Sequence, residues 1–191
     1  MVKWLIRRKL ASFERAYQYD MSYAREILDI DLGALLAFAK IQKLTEYRRD
    51  VPVDVYYAVK LVGTMTEDCG PCTQLTVTMA LRDGVAGSTL AAVIAGDDIV
   101  LPEPVQLGVR FARAALAHDL ATEPLRDDMV RRWGKRALVS LSYALVAARI
   151  YPTLKYALGH GKACTRIVVG GEQLVPKRSE QRELPARPAE A

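Results

Sequence analysis

Apolar residues recur at intervals of three and four from the start of the chain to about residue 160, and this spacing constrains the fold most strongly. In the segment 22–47, Ile27, Ile30, Leu35 and Phe38 follow it, with charged residues between them. Such spacing is typical of amphipathic helices, and no segment shows the sustained alternation of a half-buried strand. The sequence therefore predicts an all-α protein, a compact bundle of about six to eight helices.

The chain has 191 residues, enough for one substantial core. We expect a single helical domain over residues 1–165, made of an N-terminal helical extension (1–50) and a core (51–165). Residues 166–191 are predicted to be a largely disordered tail, with three prolines after residue 175. Within that tail, Gly170 and Gly171 give a weak hairpin signal.

A formal net charge of +5 raises the question of a nucleic-acid partner. Residues 51–165 carry 12 basic and 11 acidic side chains, so the expected core is nearly neutral. The densest basic cluster surrounds Gly134 and has no stacking aromatic beyond Trp133. Because cations are also favoured at helix ends, we expect a solvated helix end there and no nucleic-acid partner.

The most apolar stretch, from Ala137 to Ile150, includes Arg149 and is too short to span a bilayer. The basic N-terminus has no small-residue cleavage site after its apolar piece. Three cysteines, an odd number, do not form a secreted disulfide framework. We therefore expect a cytoplasmic protein that does not bind membranes.

Two of the cysteines form the motif Cys69-Gly-Pro-Cys72, which is placed to open a helix. Asp68 or Cys69 can cap that helix, Pro71 suits its first turn, and Gly84 suits its end. Two intervening residues bring the sulfurs close enough for a disulfide to form and reopen, and a helix N-terminus stabilises thiolate. The motif indicates redox chemistry, with the adjacent Glu67 as a candidate proton acceptor.

Two other interpretations of the motif stay open. Cysteine is often simply a small buried hydrophobic residue, and a nearby pair can be accidental. A zinc site would need two more ligands from Cys164, His118 and His160, which do not have paired ligand spacing. We expect no metal and no cofactor. The motif is also similar to that of thioredoxins, but helical spacing flanks it on both sides, unlike in that fold.

The surroundings of the motif resemble the superfamily of the alkylhydroperoxidase AhpD and carboxymuconolactone decarboxylase, over roughly residues 52–160. The matching features are a helix over 55–66, the Glu67–Cys72 segment, Gly84, Arg110-Phe111-Ala112 in a helix that follows a proline, and Tyr143 and Ala144 in a long helix. The resemblance implies an all-helical fold and a homo-oligomer. In the redox branch the second cysteine attacks peroxide and the first resolves it, which implies Cys72 and Cys69 respectively.

That branch commonly has a relay histidine four residues after the second cysteine, where this chain has Thr76. The threonine hydroxyl either has a role in the site or simply bonds to the preceding helical turn. A relay glutamate is also expected on the preceding helix, and Glu67 is the only carboxylate there close to the pair. The candidate catalytic residues are therefore Cys72, Cys69, Glu67 and Thr76.

The preferred interpretation is a dithiol oxidoreductase, most simply a peroxidase-like enzyme that reduces a hydroperoxide or a disulfide. An unidentified thiol reductant would then have to reset the pair. The alternative is a non-catalytic helical oligomer that keeps the scaffold for partner binding and has lost the relay histidine. The decarboxylase branch ranks third, because it characteristically lacks the paired cysteines.

Overall fold

The structure is a computed structural model in which residues 1–177 are described. It is mainly helical, which confirms the predicted all-α class. The α-helices are α1 (Val2–Tyr17), α2 (Ser22–Ile30), α3 (Leu32–Ala39), α4 (Gln42–Glu46), α5 (Val53–Thr66), α6 (Gly70–Arg82), α7 (Gly87–Ala95), α8 (Glu103–Ala117) and α9 (Thr122–Ala157). A short 3-10 helix (Asp98–Val100) and the strands β1 (Ile167–Val169) and β2 (Glu172–Leu174) complete the described part of the chain.

Helix α5 lies at the centre of the main core and packs against α6, α8 and α9. Its residues Val55, Val59 and Leu61 are completely buried. Two glycines allow close approach of the neighbouring helices. A Cβ atom on Gly63 would lie 2.8 Å from the Ala148 side chain, and one on Gly108 would lie 2.8 Å from Val55. The central position of α5 places the turn after it, which leads to Cys69, against the end of α9.

The N-terminal helices form a second, smaller hydrophobic cluster, which we call the N-terminal cluster. Its buried members are Tyr19, Tyr23, Ala24, Leu28 and Leu35. Leu75 of α6 and Leu154 of α9 pack against them. The extension over residues 1–50 therefore packs against α6, which begins within the cysteine motif, and against α9.

Helix α9 is interrupted at Gly134, whose φ of 82° and ψ of 171° lie outside the helical region. Glycine adopts positive φ at little cost, which explains a break at this position. The sequence predicts a helix end at Gly134, and the break agrees with that. By length and composition alone α9 could cross a membrane, a test that the core helix of a soluble protein also passes, and α9 packs against α5 and α8.

The hairpin signalled by Gly170 and Gly171 is confirmed, since β1 and β2 pair in antiparallel register. Ile167 and Val169 are buried, and β1 packs against α6 and α7. The N–H of Lys177 donates to the carbonyl of Ile94 at 2.9 Å. Residues 167–174 of the predicted tail thus form a hairpin, because alternate side chains of β1 pack into the core. Residues 178–191 of the predicted tail lie outside the described residues.

Candidate functional site

Cys69 is the residue that precedes α6, and its backbone is extended, with φ −101° and ψ 96°. Its sulfur accepts a hydrogen bond from the backbone N–H of Cys72 at 3.3 Å, in the manner of a helix cap. Pro71 lies in the first turn, where its missing N–H leaves no helical bond unmade. The sulfurs of Cys69 and Cys72 lie at disulfide-bond distance, and their Cα atoms are 5.3 Å apart.

The turn before the motif is held by the segment that follows α9. Asp68 has a positive φ of 50°, and its carboxylate accepts from the backbone N–H of Cys164 at 3.0 Å. The N–H of Gly70 donates to the carbonyl of Lys162 at 3.0 Å. A Cβ atom on Gly70 would lie 2.7 Å from the carbonyl oxygen of Ala163. Glycine between the cysteines therefore lets two stretches of backbone pack directly against each other.

Both sulfur-bearing residues are buried, Cys69 completely and Cys72 with 5 % of its surface exposed. The third cysteine, Cys164, is also buried. Of the pair, Cys72 is thus the residue nearer to solvent. It is also the one that contacts the N-terminal cluster.

The hydroxyl of Tyr19, from the connection between α1 and α2, lies 3.8 Å from the sulfur of Cys72. The ammonium of Lys155, on α9, donates to the same hydroxyl oxygen at 3.4 Å. Lys155 is only 2 % exposed. A sulfur, a hydroxyl and an ammonium group from three separate elements therefore form one continuous polar chain inside the protein.

Aromatic rings surround the buried ammonium. Lys155 Nζ lies 4.6 Å from the ring centroid of Tyr19 and 5.5 Å from that of Tyr23, within the range of cation–π attraction. Burial lowers the pKa of Lys155, while the negative charge of Asp20 partly opposes that effect. Burial also raises the pKa of Tyr19 well above its ordinary value, so this phenol keeps its proton. Asp20 itself pairs with Lys162 at 3.6 Å.

Glu67 and Thr76 lie next to the motif, but their side chains are bonded to other groups. The carboxylate of Glu67 pairs with Arg149 and accepts from Thr153 at 3.4 Å. The hydroxyl of Thr76 donates to the carbonyl of Cys72 at 3.0 Å. The threonine thus makes the bond to the preceding turn, one of the two alternatives that the sequence left open.

The two histidines have different structural surroundings. His118 ends α8 in a left-handed conformation. His160 contacts the Ser22 hydroxyl at 3.0 Å and Glu26 at 2.5 Å, which ties the chain after α9 to α2. Among residues 1–177, no group of three or more His, Cys, Asp or Glu side chains is arranged to hold a metal ion.

No motif or spacing in the sequence indicates that Tyr19 and Lys155 belong to the candidate site. The two residues are 136 positions apart, so no local spacing relates them. The sequence indicates burial of Lys155 only through its position next to Leu154 in an apolar helix. Its hydrogen-bond partner Tyr19 is identified only by the packing of the N-terminal helices.

Comparison of the chain with models of known families, with curated proteins and with solved structures finds no match.

Proposed function

We propose that this protein is a dithiol oxidoreductase that cycles between the Cys69–Cys72 disulfide and the reduced pair, with a peroxidase-like reaction as its most direct use. The observation that carries the proposal is the disulfide-distance pair itself, with Cys69 capping the helix that holds Cys72. A helix start favours negative charge on a nearby sulfur, and thiolate is the reactive form of cysteine.

Cys72 is the attacking residue in this proposal. Its exposed fraction exceeds that of Cys69, and its sulfur has a hydroxyl donor within reach. The resemblance to the AhpD redox branch assigns the same order. Membership in that superfamily, and the homo-oligomer that it implies, are parts of the proposal.

The proposed reaction is a two-electron oxidation of the cysteine pair by a hydroperoxide. The Cys72 thiolate attacks the outer oxygen of a hydroperoxide, the O–O bond breaks, and the released alkoxide takes up one proton to become an alcohol. The resulting Cys72 sulfenic acid reacts with the Cys69 thiol to give the disulfide and water. Two equivalents of an external thiol then reduce the disulfide and become oxidised themselves. No metal or organic cofactor enters this cycle.

The burial of both sulfurs favours one alternative function, a structural pair in a non-catalytic helical scaffold. In that case the pair serves to brace the first turn of α6, which Asp68 and Gly70 hold against the segment after α9. The two functions differ in whether the pair opens and closes under mild redox conditions, because structural disulfides resist reduction by small thiols.

The test is to reduce the full-length protein, add one equivalent of hydroperoxide, and search for the Cys69–Cys72 disulfide by peptide mass spectrometry. Rapid formation of that disulfide, and its reversal by added dithiol, is the expected result. A matched control with both cysteines changed to serine measures background peroxide consumption. If the reduced wild-type protein consumes no more peroxide than this control, the oxidoreductase proposal fails and the scaffold takes its place.

A further inference from the structure

The polar chain from Cys72 to Lys155 holds one feature that disulfide chemistry alone leaves unexplained. Lys155 is buried, yet among the ion pairs formed by residues 1–177 none includes it. A buried charge is costly unless an opposite charge or strong hydrogen bonds compensate it. Ring faces and one hydroxyl give part of that compensation, and the nearest sulfur can give the rest when it is ionised.

The direction of the hydrogen bonds supports this role. A charged lysine has three donors and no acceptor, so the Tyr19 oxygen must accept from Lys155. The Tyr19 proton is thereby left to point elsewhere. A disulfide sulfur carries no proton, so in the contact of 3.8 Å Tyr19 is the donor and Cys72 the acceptor. A thiolate at Cys72 would strengthen the same contact, because hydrogen bonds to charged acceptors are stronger.

We propose that Lys155, acting through the Tyr19 hydroxyl, supplies the positive charge that stabilises the thiolate of reduced Cys72 and the proton that the leaving oxygen takes up. The inference rests on the proposed dithiol chemistry and deepens it. Tyr19 touches the reacting sulfur, whereas Lys155 is a positioning residue that acts on the sulfur through Tyr19. The pair occupies the role that a relay histidine would fill at position 76.

In this scheme each proton that moves has a named donor. Tyr19 gives its proton to the alkoxide released when the Cys72 thiolate attacks a hydroperoxide, and Lys155 returns a proton to Tyr19. Lys155 is then neutral until solvent reprotonates it. The sulfenic acid condenses with the Cys69 thiol, releasing water, so no further donor is needed.

The charged and titratable groups around this chain come from every element packed against it. Asp20 and Lys162 lie near Lys155 and pair with each other, so their opposite charges largely offset. Tyr23 and Tyr151 face Tyr19, and both keep their protons because burial raises their pKa. His160 and Glu26 are paired at the end of α9. Lys155 is thus the charge best placed to act on the sulfur through a direct hydrogen-bond chain.

The positive charge of Lys155 gives the peroxide reaction a characteristic pH dependence. A positive neighbour favours thiolate, so losing it raises the pKa of Cys72 and moves the acid limb of the rate profile to higher pH. Burial lowers the pKa of Lys155, so the support it gives disappears at a lower pH than for an exposed lysine. The rate of peroxide reaction should therefore rise and then fall with pH, and Lys155→Met should lose the alkaline fall.

The decisive measurement is a titration of Cys72 by NMR in reduced, full-length protein with isotopic label at cysteine Cβ. The parent carries Cys69→Ser and Cys164→Ser, so that Cys72 alone reports. In this parent we compare Tyr19→Phe, which removes the hydroxyl and keeps the ring, with Lys155→Met. Tyr57→Phe is the matched control, since Tyr57 is a buried tyrosine whose hydroxyl donates to Asp83, at the opposite end of α6 from the cysteine pair.

We expect Tyr19→Phe and Lys155→Met each to lower the thiolate population of Cys72 roughly tenfold at a pH below the titration midpoint, and Tyr57→Phe to change it by less than about twofold. An unchanged titration in Tyr19→Phe overturns the inference, as does an equal change in Tyr57→Phe. The titration also distinguishes failure of the inference from failure of the proposed function. A protein that forms no disulfide with peroxide but shows the expected titrations keeps Lys155 as the group that stabilises the Cys72 thiolate, and loses both the peroxidase reaction and the proton-donor role.

Discussion

Glu67, in the turn between α5 and α6, directs its carboxylate to the guanidinium of Arg149 on α9. Thr153, one helical turn further along, contributes a hydroxyl to the same carboxylate at 3.4 Å. The contact joins the turn that precedes Cys69 to the helix that carries Lys155. Glu67 therefore fixes the relative position of two parts of the candidate site, and its carboxylate is bound by side chains of α9.

Glu67→Gln should keep peroxide reactivity close to that of the wild type and lower the free energy of unfolding by about 1 kcal/mol or less, as for a partly exposed ion pair. The rate is measured by stopped-flow peroxide consumption and the stability by urea unfolding. Arg149→Gln is the matched variant, and it should have the same small effect. A loss of rate in Glu67→Gln alone would show that the glutamate acts as a proton relay.

The two cysteines should differ in what their loss does. Cys72→Ser should abolish peroxide consumption, because it removes the sulfur that we propose attacks the peroxide. Cys69→Ser should allow one round of oxidation and leave Cys72 as a sulfenic acid that dimedone traps, detected by peptide mass spectrometry. The reverse pattern, with activity kept in Cys72→Ser and lost in Cys69→Ser, would assign the attack to Cys69.

Thr76→Val should change neither the rate of disulfide formation nor the stability by more than about 1 kcal/mol. The lost hydroxyl donates only to the carbonyl of Cys72, which lies in a helix and keeps its backbone partner. Peroxide consumption and thermal unfolding measure the two effects. A large fall in rate with unchanged stability would show that the hydroxyl acts on the sulfur.

Gly70→Ala should destabilise the protein by about 1–3 kcal/mol, the usual cost of overpacking. The new methyl group would lie 2.7 Å from the carbonyl oxygen of Ala163, and a backbone atom cannot move aside cheaply. Gly87→Ala is the matched control, because Gly87 also begins a helix and its Cβ would meet Val169 at an ordinary 3.5 Å. Denaturant unfolding of both variants, side by side, measures the difference. Equal stability would mean that the 162–164 segment does not press on the motif.

Leu28→Ala should cost about 2–5 kcal/mol, since Leu28 is completely buried in the N-terminal cluster. Ile30→Ala, two residues away in the same helix, should cost far less because Ile30 is 75 % exposed. Chemical unfolding curves provide the comparison. If Leu28→Ala is as stable as Ile30→Ala, the N-terminal helices are not docked as described.

Much of this fold could be predicted from local patterns in the sequence. The helical class follows from apolar spacing, the break in α9 from Gly134, and the hairpin from Gly170 and Gly171. These features depend on residues that are neighbours in sequence, where backbone preference and side-chain periodicity act directly.

The candidate site could be predicted only in part, because several of its contacts join residues that are far apart in the sequence. Cys69 and Cys72 share one helical turn, and their proximity is a consequence of spacing alone. Tyr19 and Lys155 meet because two separate elements pack on α6, and no residue near either one encodes that packing. The ion-pair partner of Glu67, Arg149, is likewise distant in the sequence, so local spacing does not predict it.

The docking of the N-terminal cluster on Leu75 and Leu154 has a thermodynamic consequence. Tyr19 contacts the sulfur only when the cluster is docked, so docking favours one redox state of the pair by the difference in free energy of that contact between the two states. Linkage is reciprocal, and the same difference must then appear in the free energy of docking between the oxidised and reduced protein. A variant that loosens the N-terminal cluster should therefore also shift the midpoint potential of the cysteine pair.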